Sequence, residues 1–111
     1  MTRNLLIAAG VMLAALAPVA VQSAGQGSRS PQDLFADRCA YCHEAGDWGT
    51  RVLARRVPDG EAELLKRSSL PAAYTAAVVR RGIGAMPQFT PTELTDEEIA
   101  ALADWLDPAK R

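Results

Sequence analysis

The pentapeptide Cys39-Ala40-Tyr41-Cys42-His43 holds both cysteines and the sole histidine of the 111-residue chain. No other feature constrains the fold as strongly, because whatever those three side chains do, they must do it at one turn of backbone. Several uses compete. A redox C-x-x-C pair of the thioredoxin type sits in a fold with strands, and no segment here has the alternating period of a strand. Structural zinc takes four ligands, yet no cysteine or histidine exists outside this stretch, and His43 directly adjoins Cys42. A disulfide between Cys39 and Cys42 would close too short a loop to stabilise much. Adjacency suits covalent haem attachment instead. Two thiols one helical turn apart can bond the two vinyl groups of protoporphyrin as thioethers, and the next residue then projects its imidazole under the ring. Cys39 and Cys42 are therefore the expected attachment residues, His43 the expected proximal axial ligand, and one covalently attached haem c per chain the expected cofactor.

The N-terminus fits that reading. Arg3 is followed by Leu5 to Val21, 17 residues without a charge, and then by Gln22-Ser23-Ala24-Gly25. That order is the order of a secretory signal peptide. The expected organisation is a signal peptide over residues 1–24, a flexible Gly/Ser-rich leader over 25–30 and one folded domain over 31–111, in the periplasm and without a stable membrane span after cleavage. An uncleaved anchor is the competing reading, although an apolar run interrupted by Gly10 and Pro18 is marginal for crossing a bilayer. Haem of the c type is attached after export. The mature chain also has few large apolar side chains, and chains of this size need a staple, which the haem would supply. Without Arg3 the chain has 11 basic and 13 acidic residues, with the basic ones concentrated between Arg51 and Arg81. That balance describes a polar molecule with a basic flank and not a nucleic-acid binder.

Ser30-Pro31 reads as an N-cap and first-turn proline for a helix running through Leu34 and Phe35 into the cysteine turn. Residues 44–58 read as loop, because Gly46, Gly49 and Pro58 break any period, and Asp59 as the cap of a short helix carrying Leu64 and Leu65. Pro71 opens a helix over 72–81 with Tyr74, Ala77 and Val78 on one stripe and Gly82 at its C-cap. Residues 82–91 form a loop. Thr95 and Glu98 make a capping box for a last helix that turns Ile99, Leu102, Ala103 and Leu106 inward, with Trp105 beside them. The fold class is all-α.

The sixth iron ligand follows by elimination. There is no second histidine, and Met1 and Met12 leave with the signal peptide, so Met86 remains. Gly82 and Gly84 let its loop approach a haem closely, and Pro87 holds Met86 out of helical geometry. With both axial positions filled, substrate has no route to iron, and a neutral thioether favours Fe(II). Electron transfer, not catalysis, is the expected role. An open sixth site, as in a peroxidase or gas sensor, is the competing reading.

The N-terminal helix ending in CAYCH, the methionine loop and the C-terminal helix together resemble a class I c-type cytochrome over essentially all of the mature chain. The resemblance implies that the first and last helices cross around the haem, with Phe35 packing on Leu102 and Trp105. Pro31 stands where the glycine of the crossing is usual. It also implies a backbone carbonyl for the proximal histidine's Nδ1–H, normally from a Gly-Pro pair. Here the stretch is Trp48-Gly49-Thr50-Arg51, which leaves Thr50 or Arg51 to supply it. The segment SLPAAYTAAVVRRGIGAMPQF, residues 69–89, is similar to the cytochrome subunits of p-cresol methylhydroxylase and eugenol hydroxylase. That likeness implies an FAD-containing partner that oxidises 4-alkylphenols and passes on electrons one at a time; the free-standing alternative is a periplasmic carrier for another dehydrogenase or an oxidase. The class I likeness also implies a docking edge near Tyr41 and Met86, where Arg80 and Arg81 would steer an acidic partner. Arg55, Arg56, Tyr74 and Trp48 are candidate neighbours of the haem propionates.

Overall fold

The computed structural model describes residues 29–111, so the signal segment and nearly all of the leader lie outside the described residues. In chain order it contains α1 (Pro31–Arg38), α2 (Ala40–His43), α3 (Trp48–Leu53), a 3-10 turn (Leu64–Lys66), α4 (Ala72–Arg81) and α5 (Asp96–Leu106). No strand occurs among the described residues; one isolated bridge pairs Ile83 with Met86. The domain is all-α, as expected.

Two caps set the frame. Ser30 Oγ accepts the Asp33 N–H at 3.1 Å and starts α1. Thr95 Oγ1 accepts the Glu98 N–H at 3.2 Å while Glu98 Oε2 accepts the Thr95 N–H at 3.0 Å, so the predicted capping box starts α5. Arg29 ties the two starts together, with its guanidinium donating to both Glu98 oxygens at 2.9 and 3.1 Å. The helices α1 and α5 then pack against each other. The Phe35 and Trp105 rings meet edge to face, 5.5 Å apart at 63°. Pro31 does not prevent the crossing.

Around that contact Leu34, Leu70, Val79, Leu94, Ile99, Leu102 and Leu106 form the buried core. Burying each large aliphatic contributes about 1.5–3 kcal/mol. The cluster is small, and Cys39, Ala40, Leu64, Met86 and Phe89 pack on its margin without being buried.

Four local expectations are corrected. The first helix does not run unbroken through CAYCH: Cys39 leaves it at φ −117° and ψ −38°, and its carbonyl accepts both the Cys42 and His43 N–H, at 3.1 and 3.0 Å, to start α2. Residues 44–58 are not all loop, because Trp48 to Leu53 close a helix despite Gly49. Asp59 caps nothing: Gly60 follows it at φ +83°, and only the 3-10 turn forms further on. The boundaries of α4 match the expectation, but its inner face is Thr75 and Val79, with Tyr74 54% exposed. The start of α4 is tied across the fold, its Ala72 N–H donating to Asp107 Oδ2 at 3.1 Å just beyond α5. That tie and the packing of α4 on α5 select the inward stripe.

Candidate functional site

The attachment turn lies where α1 passes into α2. Cys39 and Cys42 are free thiols, both half-buried. Burial, then the neighbouring Cys42, pushes the Cys39 thiol up to about 11. A thiol so hard to ionise is the opposite of an activated redox cysteine. Burial also lowers the pKa of His43, which keeps its imidazole neutral and fit to bind a metal. Among the described residues no group of three or more His, Cys, Asp or Glu side chains converges as a metal cage would require.

Helix α3 closes against this turn, and Gly49 is the reason it can. A Cβ at position 49 would lie 2.6 Å from the Cys42 carbonyl oxygen and 3.3 Å from the Cys42 Cβ. Gly49 reads in sequence as a breaker; its actual task is to let two backbones touch. Next to it Thr50 is buried, and its carbonyl accepts the Ala54 N–H at 2.9 Å. Neither that carbonyl nor the Arg51 carbonyl receives the His43 proton as the resemblance had suggested, because His43 Nδ1 has no hydrogen-bond partner. His43 Nδ1 is buried without a partner, and so is Thr50 Oγ1. Beside them His43, Phe35, Glu44, Ala45, Glu63, Leu64 and Leu65 line a cavity of about 330 Å³.

The methionine loop is built differently. Gly82 ends α4 at φ +71°, and a Cβ there would meet the Met86 carbonyl oxygen at 2.7 Å and the Gln88 nitrogen at 2.9 Å. Ile83 and Met86 exchange N–H···O bonds of 3.1 and 3.0 Å. The Phe89 N–H returns to the Val79 carbonyl at 3.0 Å. Met86 is half-buried and packs against the same core cluster as Cys39.

Arg80 is not the free steering charge expected of it. Its guanidinium donates to the Phe89 carbonyl at 2.8 Å, twice to the Leu94 carbonyl at 3.2 Å, and to the Asp96 carboxylate. Arg81 is exposed and enters no ion pair among the described residues, as are and do Arg55 and Arg56. Trp48 and Tyr74 are each more than half exposed, at 52% and 54%. Sequence reasoning missed Gly49 and the clamp role of Arg80. The first showed only as a glycine six residues past His43, and the second only as a charge at a helix end.

The residues present fit a haem of the c type. They offer two thiols on one turn, an imidazole kept neutral by burial, and a cavity walled by Phe35, Leu64 and Leu65. No curated protein and no solved structure matches the chain. A family model described as cytochrome C oxidase, cbb3-type, subunit III matches residues 26–106, from ahead of α1 to the last residue of α5. With the all-α fold, that match makes this an electron-transfer c-type cytochrome with covalently bound haem c, and the chain belongs to the cbb3-type cytochrome c oxidase subunit III family as a class I cytochrome c domain.

Proposed function

We propose that the chain is a periplasmic one-electron carrier holding a single haem through Cys39 and Cys42, with His43 and Met86 as axial ligands, and that it receives electrons from an FAD-containing enzyme acting on 4-alkylphenols. The observation that carries the ligation is the pre-shaped loop that presents Met86, the one methionine outside the signal segment, at the margin of the core that also meets Cys39. Haem supplies the one-electron couple. The chain's own residues do the rest: His43 contributes a neutral imidazole and Met86 a neutral thioether that favours Fe(II), both half-buried. The family match supports an electron carrier, and in this reading the chain is not by itself an enzyme.

The partner is inferred from residues 69–89, whose LP-x-x-Y and AMP-x-F pattern is similar to flavocytochrome subunits. Two exposed apolar side chains, one in the attachment turn and one in the methionine loop, support a close contact with a partner. Tyr41 is 91% exposed within the attachment turn, and Ile83 is 57% exposed within the methionine loop. Arg81 is the free cation beside Ile83. A second reading, electron supply to a terminal oxidase, is favoured by the description of the matching family. Stopped-flow mixing of the oxidised holoprotein with each candidate partner separates the two. Rapid reduction by a phenol-reduced flavoprotein supports the first, and rapid oxidation by an oxidase with no reaction toward the flavoprotein supports the second. For the ligation, Met86→His should lower the reduction potential, because imidazole stabilises Fe(III) better than a thioether does. An unchanged potential with the ferric sulfur-to-iron band intact contradicts it.

A further inference from the structure

Among the described residues, Arg80 is the one side chain that hydrogen-bonds to the backbone between Gly82 and Phe89, the stretch that presents Met86. It reaches both ends of the segment leading into α5. Nη1 donates to the Phe89 carbonyl at 2.8 Å, and both terminal nitrogens donate to the Leu94 carbonyl at 3.2 Å, directly before the Thr95 cap. The Asp96 carboxylate takes a further N–H and holds the fork in register. Phe89 is thereby fastened twice to consecutive residues of α4, through its N–H to the Val79 carbonyl and through its own carbonyl to Arg80. Met86 stands three residues before that anchor and four after Gly82, where no Cβ fits beneath the loop. The methionine therefore hangs between two fixed points, and the guanidinium makes one of them.

We infer that Arg80 is the positioning residue for the Met86 ligand: its fork keeps the methionine loop closed and so keeps external ligands off the iron. The inference rests on the ligation reading above. A guanidinium stays charged at any working pH and presents donors in a rigid fork, whereas a lysine at the same place is one bond shorter and has a single nitrogen, which cannot serve the two carbonyls and the Asp96 carboxylate together as Nη1 and Nη2 do. Local opening of a loop is an equilibrium of its own, separate from global unfolding. An external ligand that binds only the open form gains apparent affinity in proportion to the open population.

The test uses the ferric holoprotein titrated with imidazole, alongside Met86→Ala, Arg80→Lys and Arg29→Ala. Arg29 anchors α1 to α5 through Glu98 and donates to the Glu93 carbonyl at 3.1 Å, but makes no hydrogen bond to Gly82–Phe89, so it controls for loss of stability and of the tie at Glu93 apart from the Arg80 fork. In the parent protein the ferric sulfur-to-iron band should be present and in Met86→Ala absent; a parent without the band removes the ligation reading and this inference with it. With the band present, Arg80→Lys should weaken it and raise imidazole affinity about tenfold, equivalent to about 1.4 kcal/mol of loop opening, while Arg29→Ala leaves both unchanged. Imidazole affinity unmoved in Arg80→Lys, or raised equally in Arg29→Ala, overturns the positioning role while leaving Met86 as ligand. If Arg80→Lys yields no folded holoprotein, Asp96→Asn carries the test, with a two- to threefold rise expected and no change counting against the inference.

Discussion

The attachment turn and the methionine loop face the same core yet are finished to different degrees. In the methionine loop every anchor is already made: Gly82 fits without a Cβ, Ile83 pairs with Met86, Phe89 returns to α4, and the Arg80 fork closes the ring. The attachment turn is held by backbone contact with α3 but leaves polar atoms stranded. His43 Nδ1 and Thr50 Oγ1 are buried without partners; the other two such atoms belong to Thr75 and Arg67, and none lies in the methionine loop or its clamp. Buried unpaired groups of this kind cost roughly 1–3 kcal/mol each. On the ligation proposed above, the methionine side is ready-made and the attachment side is the one that leans on the haem for its stability.

The sharpest way to break that contrast is to remove the thioethers. Cys39→Ala or Cys42→Ala should reduce covalent haem loading and leave the chain largely unfolded, because a small core loses its staple. Haem staining after denaturing electrophoresis and far-ultraviolet circular dichroism measure both effects. A well-folded apoprotein would show the proximal side to be complete without the cofactor.

The two glycines sharpen it further. Gly49→Ala sets a methyl 2.6 Å from the Cys42 carbonyl, whereas Gly82→Ala sets one 2.7 Å from the Met86 carbonyl at a positive φ. Each should cost about 1–3 kcal/mol from overpacking, with backbone strain added at position 82. The consequences should separate. Gly49→Ala should lower haem loading with the ferric sulfur-to-iron band normal in what is loaded, and Gly82→Ala should load normally with that band weakened. Identical phenotypes would mean that the two regions are not independent.

These positions also show what was legible in the sequence. The CAYCH turn, the Thr95–Glu98 box and the Gly82 cap rest on local chemistry and can be read from neighbouring residues alone. The Phe35–Trp105 contact came from the class I resemblance and is present. Helix α3 was not legible, because a glycine that permits tertiary contact looks the same in sequence as one that ends a helix. The inward stripe of α4 was misread because Tyr74 and Val78 are more apolar than Thr75, and only the docking of α4 on α5 selects the Thr75 face. Arg80 was read as surface charge because its partners, Phe89, Leu94 and Asp96, are up to 16 residues away and mostly main-chain carbonyls.

A smaller effect belongs to the frame that both regions share. The Arg29 side chain and then the Thr95 N–H hold the Glu98 carboxyl below its ordinary 4.5. The stability it contributes is complete above that value and is lost as pH falls through the lower, folded-state value. Glu98→Gln should therefore flatten the acid limb of a pH-dependent melting curve and leave neutral-pH haem ligation unchanged. An acid limb identical to the parent's would place the pH sensitivity elsewhere.

The most direct measurement is the optical spectrum of the reduced holoprotein before and after exposure to carbon monoxide. With Met86 held on the iron by its closed loop, the parent spectrum should not change at neutral pH, and Met86→Ala should bind the gas readily. Immediate carbon monoxide binding by the parent protein would contradict the account, because it would mean an open sixth site and a protein built to react at iron and not to carry electrons.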